Sequence, residues 1–81
     1  MEFHFIVNGT PVMVSAEKEG EARYMVRMAK VGKSFLRIGY LTGERRTWMA
    51  ERAGVELAQR FTSAEMACAA LASEALGKES A

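Results

Sequence analysis

The chain has no aspartate, and among its 81 residues there is one cysteine, one histidine, one proline and one tryptophan. Each scarcity removes a class of chemistry. A lone thiol closes no internal disulfide, which fits a reducing compartment, and a cytoplasmic location is expected. Without aspartate, and with His4 and Cys68 far apart in sequence, no set of ligands has metal-binding spacing. No cofactor is expected. No apolar run reaches the length of a membrane-spanning helix, and MEFHF lacks the basic start and apolar stretch of a signal peptide. Gly39, Gly43 and Gly54 are too widely spaced to cradle a phosphate and read as turn residues.

The titratable residues that are present do not assemble into a reaction centre. Cys68 sits within Met66-Ala67-Cys68-Ala69-Ala70-Leu71 and reads as a small buried thiol. A Cys68–His4 nucleophilic pair would lack a third group to orient the imidazole, and His4 reads as a surface residue of a strand. Glu51 and Glu56 bracket a turn among arginines, with no apolar pocket in prospect to raise a carboxylate pKa. The expectation is a protein that is not an enzyme and takes no small-molecule substrate.

What the chain does have is charge in an uneven arrangement. The net charge is +1. Residues 1–22 carry one Lys against four Glu, residues 23–60 carry nine Lys and Arg against three Glu, and residues 61–81 carry one Lys against three Glu. Any electrostatic partner should meet the middle.

The local patterns imply one α+β domain over residues 1–77, with residues 78–81 as a flexible tail. FHFIVNGTPVMV is a hairpin closed by Asn8-Gly9, both of which suit positive φ. That register pairs Phe5 with Val12 and Phe3 with Val14. It leaves His4, Ile6, Pro11 and Met13 opposite, and Pro11 suggests that the second strand is a sheet edge. From Ser15 the period becomes helical. Ala22, Met25, Val26 and Ala29 fall on one stripe, Ser15 is placed to cap it, and Gly32 to stop it. Glu17, Glu19 and Glu21 precede Arg27 and Lys30, the order that a helix dipole favours. A strand through Tyr24, Val26 and Met28 is the competing reading. Strands then follow over SFLRIGYL, RRTWMAER and VELAQRF, with turns at Thr42-Gly43 and Arg52-Ala53-Gly54. TSAEMACAALASEALG closes as a helix, with Thr62 as cap, Glu65 in a capping box and Gly77 as stop. The expected architecture is two-layered, ββαβββα, a mostly antiparallel sheet with two helices on one face.

The face occupied by Trp48 depends on loop parity. A two-residue turn at Ala53-Gly54 would put Val55, Leu57 and Phe61 with Trp48. A three-residue loop with a glycine bulge would put them with Leu36, Ile38 and Met49, which separates apolar from charged residues better. The second version is expected. It leaves Trp48 on the helix-free face with Arg37, Arg46 and Arg60, and Arg52 at the adjoining turn.

In element order, residues 16–76 resemble the double-stranded-RNA-binding domain. That family's lysine-rich helix start is Thr62-Ser63-Ala64-Glu65-Met66-Ala67 here, and its histidine loop is Thr42-Gly43-Glu44-Arg45, so no RNA function is carried over. The opening hairpin and helix are similar to the start of ubiquitin-like β-grasp folds. The final helix and the missing diglycine terminus argue against a ubiquitin-like modifier.

Arg37, Arg46, Trp48, Arg52 and Arg60 are therefore the candidate partner-binding residues of a protein–protein interaction module, since Trp and Arg are enriched at binding hot spots. In size and type the chain is similar to small phage- or plasmid-encoded inhibitors, anti-CRISPR proteins among them. The alternative is nucleic-acid binding through the basic middle, and the competing bland reading is a solvated charged face. No membrane partner is expected.

Overall fold

A computed structural model of the chain describes residues 1–79, with the backbone alone for residues 78 and 79. The elements are β1 (Glu2–Val7), β2 (Thr10–Gly20), β3 (Arg23–Lys30), β4 (Leu36–Glu44), β5 (Thr47–Arg52), β6 (Val55–Phe61) and α1 (Ala64–Glu79). The strands form one antiparallel sheet in chain order, a meander curled over the helix. The α+β class stands, but the ββαβββα order with two helices does not. The element orders behind the two family resemblances go with it.

The opening hairpin has the expected register, Phe3↔Val14 and Phe5↔Val12, about Asn8 and Gly9 at φ 51 and 79. Pro11, however, does not mark an edge. The β2–β3 ladder begins one residue later, at Val12↔Lys30, so the absent N–H is not missed, and β1 is the edge strand.

Residues 15–32, expected as a helix, are the end of β2, a turn at Glu21-Ala22 and β3. The charge order that suggested a helix dipole is also the signature of a hairpin. Glutamates before the turn meet arginines after it, with Arg27–Glu17 at 3.9 Å and Arg23–Glu19 at 3.7 Å. Such exposed pairs contribute up to about 1 kcal/mol each. Apolar burial contributes more. Pairing Val14 with Met28 and Ala16 with Val26 buries both strands' alternating side chains in one core, which Tyr24 joins from its margin. Ser15 is simply a mid-strand residue.

α1 buries Ala64, Ala67, Cys68, Leu71, Ala72, Ala75 and Leu76, a stripe at three- and four-residue spacing. Its cap is Ser63, whose Oγ accepts the N–H of Met66 at 3.2 Å. Thr62, the expected cap, instead turns its hydroxyl to Met66 Sδ. Gly77 does not stop the helix, which continues to Glu79, so the expected tail begins within it. Residues 80 and 81 lie outside the described residues.

The small side chains of α1 let it sit low on the sheet, and Gly39 receives it. A Cβ at Gly39 would lie 3.0 Å from Leu71 Cδ2 and would run into the carbonyl oxygen of Glu51. This close approach makes the Gly39 face of β4 the inner one. Leu41 and Gly43 follow by alternation, and the β4–β5 ladder carries Ala50 and Trp48 to the same side through Leu41↔Ala50 and Gly43↔Trp48. The β4–β5 turn is Arg45-Arg46, not Thr42-Gly43. At the next hairpin Arg52 pairs with Val55 around a two-residue turn, Ala53 and Gly54 at φ 54 and 79, and a register shift between Met49 and Glu51 that keeps the parity brings Phe61 opposite Trp48. The version with a three-residue loop is thereby corrected. A register shift beside Ile38 brings that side chain into the core, while Leu36 and Val55 stay exposed.

Gly39→Ala should destabilise by about 1–3 kcal/mol through overpacking. Gly20→Ala, where an added Cβ meets nothing within 4 Å, should be near neutral, and urea unfolding of both variants checks this. Ala53→Asn should stabilise by roughly 0.5–1 kcal/mol, because asparagine tolerates the left-handed conformation that alanine holds here at a cost. Thermal unfolding of that variant reads the gain.

Candidate functional site

The sheet face turned away from α1 is assembled from the residues between the core positions. On β3 these are Arg23, Met25 and Arg27, and on β4 they are Arg37, Tyr40 and Thr42. β5 adds Met49 and Glu51, and β6 adds Arg60. The ladders set Met25, Tyr40 and Glu51 in one row and Arg23, Thr42, Met49 and Arg60 in the next.

Tyr40 is the centre of this face. The Arg23 guanidinium carbon lies 4.2 Å from the centroid of its ring, and that of Arg37 lies 5.8 Å away. Arg37 also donates to the Tyr40 hydroxyl at 3.1 Å. Arg23 in turn meets Glu51 at 3.5 Å and Glu19 at 3.7 Å. Guanidinium–ring attraction at such half-exposed sites contributes roughly 0.5–1 kcal/mol and, with the carboxylates, orders these long side chains. Donors, acceptors and thioethers therefore alternate across the surface.

The five residues expected to bind a partner are not brought together. Arg37 is on this face and exposed. Arg60 is exposed on the same face at the β6 edge, across from Met49. Arg46 projects from the β4–β5 turn beside Gly43 and Thr47. Arg52 is half-buried on the far side and donates to the carbonyl of Ile38 at 3.2 Å, where the β4 ladder shifts. Trp48 is the correction that matters most. It is 7% exposed, faces the helix, contacts Tyr24 at 5.5 Å between centroids and donates its indole N–H to the carbonyl of Arg45 at 3.0 Å. The indole is the largest side chain available to fill the space beside Gly43, and burial of its apolar body outweighs the polar tip, which finds an acceptor at once.

Tyr40, Arg23, Arg27 and Met25 are surface partners that sequence reasoning missed. The signal lay in the alternation of β3: once Tyr24, Val26 and Met28 are read as a strand facing inward, Arg23, Met25 and Arg27 must face outward.

Cys68 is fully buried on α1, and burial pushes its thiol up from 9.0 to about 12, with the N-terminal ammonium pulling down and Glu65 adding a smaller upward push. Among the described residues no group of three or more His, Cys, Asp or Glu is placed to hold a metal ion. No described helix is long and apolar enough to cross a membrane.

Together these features define a small sheet-and-helix α+β domain with a mixed-charge outer face. Compared with known proteins, the chain matches no family model, and neither the curated proteins nor the solved structures contain a significant match to it.

The thiol supplies a pH test. Unfolded Cys68 ionises from about 9.0 while the folded thiol stays protonated to about 12, so its contribution is complete below pH 9 and is lost as pH rises through that window. The loss should approach roughly 1.4 kcal/mol per pH unit there. Urea unfolding between pH 9 and 12 should show this decline, and Cys68→Ala should flatten it.

Proposed function

We propose that the chain is a non-catalytic protein–protein interaction module that docks through the outer sheet face around Tyr40. The observation that carries this reading is the stack of Arg23 on Tyr40 with Arg37 bonded to its hydroxyl. Tyrosine and arginine anchor interfaces because they offer large contact area with directional polar ends, and here both are held in place before any partner arrives. Met25 and Met49, half-buried beside them, supply adaptable apolar contact. Arg60 extends the surface at its rim. Arg46 lies beyond it, while Trp48 and Arg52 support the fold beneath. A mobile-element-encoded inhibitor that works by covering its target would use such a face without any reacting group.

Nucleic-acid binding is the second reading, and two features weigh against it on this face. Glu17, Glu19 and Glu51 sit among the arginines and offset the field that phosphates require. Arg23 already covers the Tyr40 ring, which removes it as a base-stacking platform.

A photo-crosslinking amino acid at Met49, in cells of the source organism, should give a discrete protein adduct. Arg37→Glu should weaken that association about tenfold or more. The reading fails if no protein is captured and the purified chain instead binds DNA or RNA with an affinity that collapses between about 50 and 200 mM salt.

A further inference from the structure

Away from Tyr40, one corner of the molecule combines an open backbone edge with an apolar cleft. Met1 and Ala16 exchange both backbone hydrogen bonds, N→O 3.0 and 2.8 Å. Alternation along an antiparallel pair then makes Phe3:Val14, Phe5:Val12 and Val7:Thr10 the other bonded pairs. The N–H and C=O groups of Glu2, His4 and Ile6 consequently point away from β2, at the free edge of the sheet. β1 has none of the devices that blunt an edge: no lysine, no proline and no break in its six-residue register. The opposite edge, β6, is interrupted by a register shift and exposes Glu56, Gln59 and Arg60.

His4 and Ile6 also send their side chains into a cleft of about 510 Å³. Pro11 and Met13 continue it, and Val31 and Phe35 of the β3–β4 turn form its far wall. Ile6 is 78% and Val31 80% exposed, so the cleft is apolar and open. Among the described residues its lining includes Lys33 and no carboxylate.

We infer that this corner binds an extended segment of a partner protein, added as a strand alongside β1, with apolar side chains at alternate positions and an acidic residue toward Lys33. The backbone edge accounts for the extended form, because main-chain bonds to His4 and Ile6 carry no sequence preference of their own. The cleft selects apolar side chains beside Ile6, and the Lys33 ammonium selects a carboxylate nearby. The site is separate from the Tyr40 face and does not depend on it.

Random peptides displayed on phage, selected on the purified chain, provide the probe, and the best-enriched sequence is then synthesised with a fluorescent label. The expected peptide alternates apolar residues beside Glu or Asp. Its binding should fall about tenfold or more in Ile6→Glu and in Lys33→Glu. Hydrogen exchange at the amides of Glu2, His4 and Ile6 should slow on binding. Both substitutions are at exposed positions, and an unchanged near-ultraviolet signal from buried Trp48 confirms folding. The inference is overturned if no peptide is enriched, or if the bound peptide is insensitive to Ile6→Glu. Loss of binding only in Arg37→Glu would move the peptide to the Tyr40 face. Binding to phosphatidylserine vesicles without peptide selectivity would assign the corner to a lipid surface. A concentration-dependent dimer protecting the same amides would assign it to a second copy of the chain.

Discussion

The seating of Leu71 on Gly39 decides which side of the sheet is inside. A side chain at position 39 would hold α1 away from β4 and collide with the Glu51 carbonyl. With only hydrogen there, the alanine-rich face of α1 drops onto the sheet, and the sheet curls over it. The other inner residues of the sheet follow by two-residue alternation and by the ladders that connect the strands, except Ile38, which a register shift brings in. Leu41, Ala50, Trp48 and Phe61 become core together, and Arg37, Tyr40, Met49 and Arg60 become surface together.

This one contact also separates the tryptophan from the arginines that surround it in sequence. The pairing of Trp and Arg that suggested a hot spot is a consequence of alternation on a two-faced strand: neighbours in sequence are on opposite sides. The aromatic residue that does meet guanidinium groups is Tyr40. Sequence alone hides it, because its neighbours Arg23 and Arg27 come from a segment whose caps and charge order fit a helix. Local signals of that kind are small, on the order of 1 kcal/mol each, and the shared burial of β2 and β3 overrides them.

The outer surface then divides into two regions of different character. Around Tyr40 the side chains are held by one another, and charge is balanced within the surface. At the β1 corner the side chains are apolar and open, Lys33 stands beside them, and the backbone has an unguarded edge.

The sequence by itself determined the α+β class, the Asn8-Gly9 hairpin with its register and the final helix. These rest on interactions between residues close in the chain, where turn stereochemistry and periodicity act directly. Tertiary structure alone decided the fate of residues 15–32, the face of Trp48 and the edge role of β1. Strand Arg23–Lys30 exists because β2 and β4 flank it, and Trp48 is inside because a helix some twenty residues later in the chain rests on Gly39. Parity at Ala53-Gly54 differs by a single residue between the two faces, and only the core that forms on one side distinguishes them.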